Sequence, residues 1–291
     1  MAVEITEPGV YDMSDADYHA DPVPGGSLSA SGAKLLLPPS CPARFHHYRT
    51  HGRPPKAEFD LGHAAHREVL GVGADLELID AEVWNTKAAK EAVAAARAAG
   101  KTPVKPSQMR QVAEMAAALR QHAIAGELLD PERMVAEQSV FWVDDETGVW
   151  RRARLDAITR PSSVEPMVIV DYKTCSAADL RHIERAMWDY GYAMQADWYI
   201  DAAENTPGIG VVMQFFFIFQ EVDPPYLVSV VEPDAVALRV GRQRNRQAIE
   251  TYRDCTETGL WPGHTGYDEI PLVSVPAWAA REYDPPTEEI L

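Results

Sequence analysis

A chain of 291 residues with 46% hydrophobic content can bury a large core, as one elaborated domain or one domain with a small appendage. Its formal net charge of −17 argues against a nonspecific nucleic-acid binder, because neutralising phosphates supplies most of that affinity. Three widely separated cysteines, Cys41, Cys175 and Cys255, argue against a disulfide framework and show no paired spacing for zinc or an iron–sulfur cluster.

Met1 to Met13 carries acids and no basic or apolar leader pattern, and the longest apolar run, near Val211 to Phe219, is far short of a membrane span. The expectation is a soluble, cytoplasmic protein with no membrane partner. Tyr11 to Pro24 is polar and turn-rich and reads as a surface segment. Ser29 or Ser31 caps a short helix that Pro38 and Pro39 stop at Leu37, and a second short helix follows with basic and aromatic content. Phe59 to Leu70 reads as a helix whose small residues allow close packing on a sheet, with His66 one turn after Gly62. Asp75 to Ile79 suggests a strand. An alanine-rich helix runs from Trp84 to Ala99 and closes at Gly100, and a further helix starts at a Ser107 cap with an apolar stripe through Val112, Met115 and Leu119.

Glu137 to Val143, Val149 to Ile158 and Val168 to Lys173 alternate as strands, an antiparallel meander with Thr159 to Pro166 as the second loop. Tyr190 to Ala203 is an amphipathic helix with Gln195 and Tyr199 one turn apart. Val211 to Phe219 and Tyr226 to Val231 form a hairpin, Asp234 to Thr258 is a long helix ended by Gly259, and the tail from Pro262 is irregular.

Charge at the end of the third meander strand demands a reason. Val168 to Val170 is a β-branched apolar run that ends in Asp171, Tyr172 and Lys173. Period two puts Asp171 and Lys173 on one face, and Asp156, Arg154 and Arg152 on one face of the preceding strand. Closing the hairpin brings Asp156 within reach of Asp171 and Lys173. Two carboxylates and a lysine suit a hard divalent cation, which polarises a phosphoryl oxygen and activates water, while the lysine stabilises developing charge. The bland alternative is an ion pair joining two strands. Glu137 is a further acid near the metal or an exposed strand start, and the second reading is favoured slightly.

In order, Gly62-x-x-x-His66, Asp156, Asp171-Tyr172-Lys173-Thr174 and Gln195-x-x-x-Tyr199 resemble the PD-(D/E)xK nucleases of the RecB-like branch. A closer resemblance, to the phage and prophage RecE-type exodeoxyribonuclease domain, rests on Tyr11 to His19, Cys41-Pro42-Ala43-Arg44-Phe45, Phe59 to Gly62 and Gly191 to Ala196, and spans Tyr11 to Trp278. It implies an α/β (α+β) fold of the restriction-endonuclease-like type, a mixed central sheet flanked by helices. Residues 1–291 would form one exonuclease-like domain, with an N-terminal helical elaboration to about residue 130, a catalytic core over about 131–260 and an irregular tail.

The resemblance further implies Mg²⁺-dependent cleavage of linear duplex DNA from its ends, 5′ to 3′, in phage-type recombination, with Mn²⁺ able to substitute. Asp156, Asp171 and Lys173 would be catalytic, and His66, Asp156, Asp171 and the Tyr172 carbonyl would hold the metal. Gln195, Tyr199, Arg152 and Arg154 would contact or position DNA. A single-strand annealing recombinase and a homo-oligomer are implied as partners. Relatives in this branch often carry four cysteines for an iron–sulfur cluster; only Cys41 and Cys255 are suitably placed here, so no cluster is expected. The competing readings are a single-strand or structure-specific nuclease on the same core, and a catalytically idle DNA-end-binding recombination adaptor.

Overall fold

The computed structural model describes residues 4–52, 58–160, 167–210 and 212–283. In chain order the elements are β1 (Gly9–Tyr11), α1 (Asp15–His19), β2 (Leu28–Ser29), α2 (Ala30–Leu36), α3 (Pro42–His51), α4 (Glu58–Leu70) and β3 (Leu76–Leu78). Then come α5 (Lys87–Ala98), β4 (Thr102–Val104), α6 (Pro106–Gln121), α7 (Ala123–Leu128), β5 (Met134–Val143), β6 (Trp150–Thr159) and β7 (Met167–Cys175). The chain continues through α8 (Leu180–Asp189), α9 (Tyr192–Glu204), β8 (Val212–Glu221), β9 (Val228–Val231), α10 (Ala235–Thr258) and α11 (Ala277–Arg281).

Among the described residues, seven strands make one mixed sheet in the order β1-β5-β6-β7-β8-β9, with β2 parallel to part of β6. The antiparallel meander β5-β6-β7 is the one the alternating sequence predicts. A crossover through α8 and α9 then returns the chain parallel to β7 as β8, the connection a parallel neighbour requires. Residues 161–166 of the expected meander loop, and Val211 at the expected start of β8, lie outside the described residues.

Local signals explain the helix ends. Ser29 accepts the Gly32 N–H and Thr86 the Ala89 N–H, and Asp234 accepts the Ala237 N–H at the head of α10, each satisfying a donor that the first turn leaves open. Gly259 closes α10 with φ of 71°, a left-handed conformation that costs glycine little. Ser107 is not the cap of α6. Pro106 occupies the first turn, where a missing N–H costs nothing, and Ser107 donates instead to Glu82.

One core layer packs α2, α3, α9 and α10 against Val140, Trp142, Leu155, Ile169 and the Phe215–Phe217–Phe219 row. The other packs α4, α6 and α7 against Val168, Val170, Tyr172 and Ile218. The N-terminal segment departs from expectation: Gly9–Tyr11 pairs with β5 at the edge of the sheet, and Ile5, Tyr18 and Val23 bury against Phe141. Three- and two-residue strands leave no periodicity to read, and their apolar residues become visible only once β5 is in place.

Candidate active site

The sheet opens between β6 and β7, and that opening is the site. Their ladder consists of Ala157 opposite Val170 and Ile158 opposite Ile169; toward the start of β6, its free edge is taken by β2, with Leu28 opposite Arg151 and Ser29 opposite Arg152. In the gap the Asp156 carboxylate substitutes for a backbone acceptor, its Oδ2 receiving the Tyr172 N–H at 3.0 Å. The period-two rule also breaks here. Leu155 packs with the α9 layer and Ala157, two residues on, with the α6 layer, so the side-chain alternation slips by one at Asp156. Opposite it in β5, Glu137 has φ of 50°, strained for a side chain this long. Asp156 therefore does not share a simple face with Arg154 and Arg152, as alternation predicts; it turns into the fork, toward Asp171.

Asp171 is fully buried. Its Oδ1 accepts from Gln195 Nε2 at 2.8 Å, Gln195 donates also to the Tyr199 hydroxyl at 3.0 Å, and Oδ2 has no hydrogen bond beyond its ion pair with Lys173. From the other layer, His66 Nε2 lies 3.1 Å from Asp156 Oδ2, and its Nδ1 3.6 Å from Glu137 Oε1. All these groups except the covered Asp171 line one open cavity of about 610 Å³, together with Arg154, Tyr172, Lys34 and Tyr192.

The electrostatics are tense. Burial, then the Asp156 charge, push the Asp171 carboxyl up to about 6 against the pull of Lys173. Burial also opposes the ionised Asp156, yet His66, Lys173 and the Tyr172 N–H hold it below the usual carboxylate range. Lys173 is desolvated too, but it faces both carboxylates and is held well above the ordinary lysine value. The two partners of this ion pair thus shift in ways simple pairing does not give: the lysine has two anions to itself, while Asp171 has one cation and a like charge. His66, pushed down by burial, ends raised through Asp156 and Glu137.

Expectations at three residues, Arg152, Arg154 and Glu137, need correction. Arg152 lies outside the cavity, bound by Asp21 and Ser27, and Arg154 spends its guanidinium on Glu137 and Ser139. Neither presents a free cation for DNA. Arg151 turns to the opposite face and is buried. Glu137 is no exposed strand start; its side chain is 12% exposed and lines the cavity. Sequence reasoning missed Lys34 and Tyr192: an isolated lysine in an apolar helix and a tyrosine at a helix start carry no local pattern.

The sequence matches the model of the PDDEXK-like domain of unknown function (DUF3799) over residues 29–270. The chain belongs to this PDDEXK-like family. It is thereby a member of the PD-(D/E)xK nuclease superfamily, with the mixed sheet and flanking helices that the fold requires. A Eubacterium rectale protein that carries the provisional name exonuclease superposes with a TM-score of 0.61 at 11% identity, covering 94% of this chain and 99% of its own. SSO0001 aligns over 72% of this chain and 88% of its own at 11% identity, with a TM-score of 0.31 too low to bear on the fold. No curated protein matches the sequence.

The donor set fits a divalent cation: carboxylates and an imidazole, with a buried Asp171 oxygen lacking a hydrogen bond. Among the described residues no three such side chains already surround one point. The reason is visible, since Lys173 occupies Asp171 and His66 occupies Asp156. In this conformation the protein's own cations take the place of an ion.

Proposed function

We propose that this chain is a Mg²⁺-dependent exodeoxyribonuclease that degrades linear duplex DNA from its ends, 5′ to 3′, in phage-type recombination beside a single-strand annealing protein. The observation that carries the hydrolytic reading is the fork itself: Asp156, Asp171 and Lys173 gathered by a broken ladder at the floor of an open cavity. A structural ion pair needs no cavity and no second buried carboxylate.

His66, Asp156, Asp171 and the Tyr172 carbonyl would hold the cation, which when bound supplies Lewis acidity and a water of lowered pKa. Lys173, released from Asp171, points its ammonium at the scissile phosphate, where negative charge builds during attack. Gln195 fixes the Asp171 carboxylate through its amide N–H and is itself steadied against Tyr199. Glu137 and Arg154 buttress the imidazole from behind, keeping His66 turned toward Asp156.

The deciding experiment digests linear duplex DNA labelled at its 5′ or 3′ end, with Mg²⁺ or EDTA, beside a closed circle. Metal-dependent loss of the 5′ label first, with the circle intact, is the expected result. Loss of the 3′ label first reverses the polarity, and cutting of the circle replaces end-directed digestion with internal cleavage. No digestion with Mg²⁺ or Mn²⁺ overturns the enzymatic reading.

A further inference from the structure

One wall of the cavity is built unlike the rest of this acidic molecule. Tyr192, half-buried at the start of α9, carries the Lys173 ammonium 5.4 Å from its ring centroid and the Lys34 ammonium 5.5 Å from it. Lys34 reaches it along the Gly191 backbone, so closely that a Cβ at Gly191 would lie 3.1 Å from Lys34 Cδ. The Tyr190 ring lies 5.7 Å from that of Tyr192 and is 66% exposed, and Trp188, near the end of α8 and two residues before Tyr190 in sequence, is 61% exposed. The Arg244 guanidinium of α10 lies 4.6 Å from the Trp188 ring. Among the described residues, no carboxylate forms an ion pair with Lys34 or Arg244; the guanidinium's hydrogen bond goes to the Pro38 carbonyl at 3.4 Å.

Large rings left in water beside the Arg244 guanidinium, and beside a Lys34 amine that burial and the Lys173 charge push down to about 7, need an explanation in a chain of net charge −17. Phosphates would be repelled by most of this surface and welcomed here. The rings add a second selection. In a duplex the base faces are stacked on one another and hidden, whereas an unpaired strand offers each face to an aromatic side chain. The cavity at the inner end, about 610 Å³, is of the size that encloses a small ligand such as a nucleotide.

We propose that Trp188, Tyr190 and Tyr192, with Arg244 and Lys34, form a track for single-stranded DNA that leads its backbone to Lys173. The occupant is an unpaired strand: rings take the base faces, and Arg244 with Lys34 takes the phosphates between them. The track rests on the nuclease reading only for its direction of travel. For an enzyme working at duplex ends, it means that the terminal nucleotides are unpaired before they reach the acids, and that the melted strand is held by stacking.

The test is binding of a fluorescently labelled oligothymidylate, and of its duplex with oligoadenylate, followed by anisotropy in EDTA so that no turnover intervenes. Trp188→Ala and Tyr190→Ala, both at exposed positions, are each expected to weaken single-strand binding by about tenfold, the scale of a lost base–aromatic stack. Trp188→Phe and Tyr190→Phe keep the affinity. Arg244→Gln and Lys34→Gln flatten its salt dependence, and duplex affinity does not follow the ring substitutions. Indole fluorescence is quenched on binding by the wild type, and part of that quenching disappears in Trp188→Phe.

Unchanged single-strand affinity in the alanine variants overturns the track, as does a change only in their oligomeric state on a sizing column, which would make the rings a protein contact. Digestion of linear DNA by the wild type is run alongside. If it fails while the binding differences hold, the nuclease reading falls and the track stands. If it succeeds while the binding differences vanish, the reverse is true.

Discussion

Strand β6 carries two buried charge clusters, and they are opposites. At its start Arg151 is sandwiched between Trp142 and Trp198, with ring centroids 4.6 and 4.1 Å from its guanidinium, and pairs with Asp201. Asp144 beside it receives both arms of Arg246 at 2.8 and 2.9 Å, and the Trp142 N–H reaches Asp201 at 3.0 Å. Asp144 and Asp201 meet two permanent cations, Arg246 reaching also the exposed Glu146 at 3.5 Å, and the faces of the Arg151 guanidinium are covered. Five residues on, Asp156 and Asp171 share one permanent cation, Lys173, with only the titratable His66 to make up the difference, and the cluster opens on a cavity. Asp144 is consequently held below the usual carboxylate range despite burial, whereas Asp171 is driven above it. Burial and ion pairing mark both places. An unbalanced share of charge, open to solvent, marks the one suited to chemistry.

The contrast can be attacked first where it predicts most. Lys173→Ala should lower cleavage of end-labelled DNA by about a thousandfold while leaving the thermal midpoint nearly in place, because Asp171 can take up a proton when its partner is lost. A variant that still cleaves would remove Lys173 from the chemistry. Arg151→Met should do the reverse. It removes the cation held between two indoles and its ion pair with Asp201, costs about 2–3 kcal/mol and lowers the midpoint by roughly 5–10 °C, with the activity per folded molecule retained. Equal melting of wild type and variant would dissolve the distinction between the clusters.

The pH dependences should have opposite signs. Asp171 titrates near 6 when folded against an ordinary 3.8, so the metal-free folded state binds that proton more tightly than the unfolded chain. Stability from this group is therefore lost as pH rises through the window from 3.8 to about 6. Asp171→Asn should make the protein more stable above that window, by on the order of 2–3 kcal/mol at most, measured by urea unfolding in EDTA. No gain at pH 8 would mean that the fork stores no electrostatic strain. Gln195→Ala should slow turnover about tenfold, the worth of one orienting hydrogen bond; an unchanged rate would leave Gln195 a packing residue. Asp144, with its depressed value, contributes stability above the ordinary carboxylate range that disappears as pH falls through its folded pKa. Asp144→Asn should flatten the acid limb of the unfolding profile, the smallest of these effects.

Much of this was legible before any fold was in hand. The meander, the caps at Ser29 and Asp234 and the stop at Gly259 depend on neighbours in sequence, so periodicity and local chemistry suffice. The acids and the lysine were legible because charge at the end of a buried strand is conspicuous. The three arginines of β6 were not separable, since their roles depend on partners more than a hundred residues away or across the sheet: Asp21 and Ser27 for Arg152, Asp201 and two indoles for Arg151, Glu137 for Arg154. Nor could alternation foresee its own failure at Asp156, which comes from a strained Glu137 in the neighbouring strand and an edge shared with β2. Lys34 becomes notable only when α2 lies against Gly191.

The Tyr172 N–H donates to a side chain in the middle of a sheet where ladder amides donate to main-chain carbonyls. Deuterium uptake at most of β7 therefore follows opening of the whole sheet, but uptake at this one amide follows the rotamer of Asp156. Anything that draws the carboxylate away, a cation above all, should change the exchange of Tyr172 and leave Ile169 and Val170 as they were. The broken ladder thus contains its own gauge of occupancy, readable in a protein that has cut nothing.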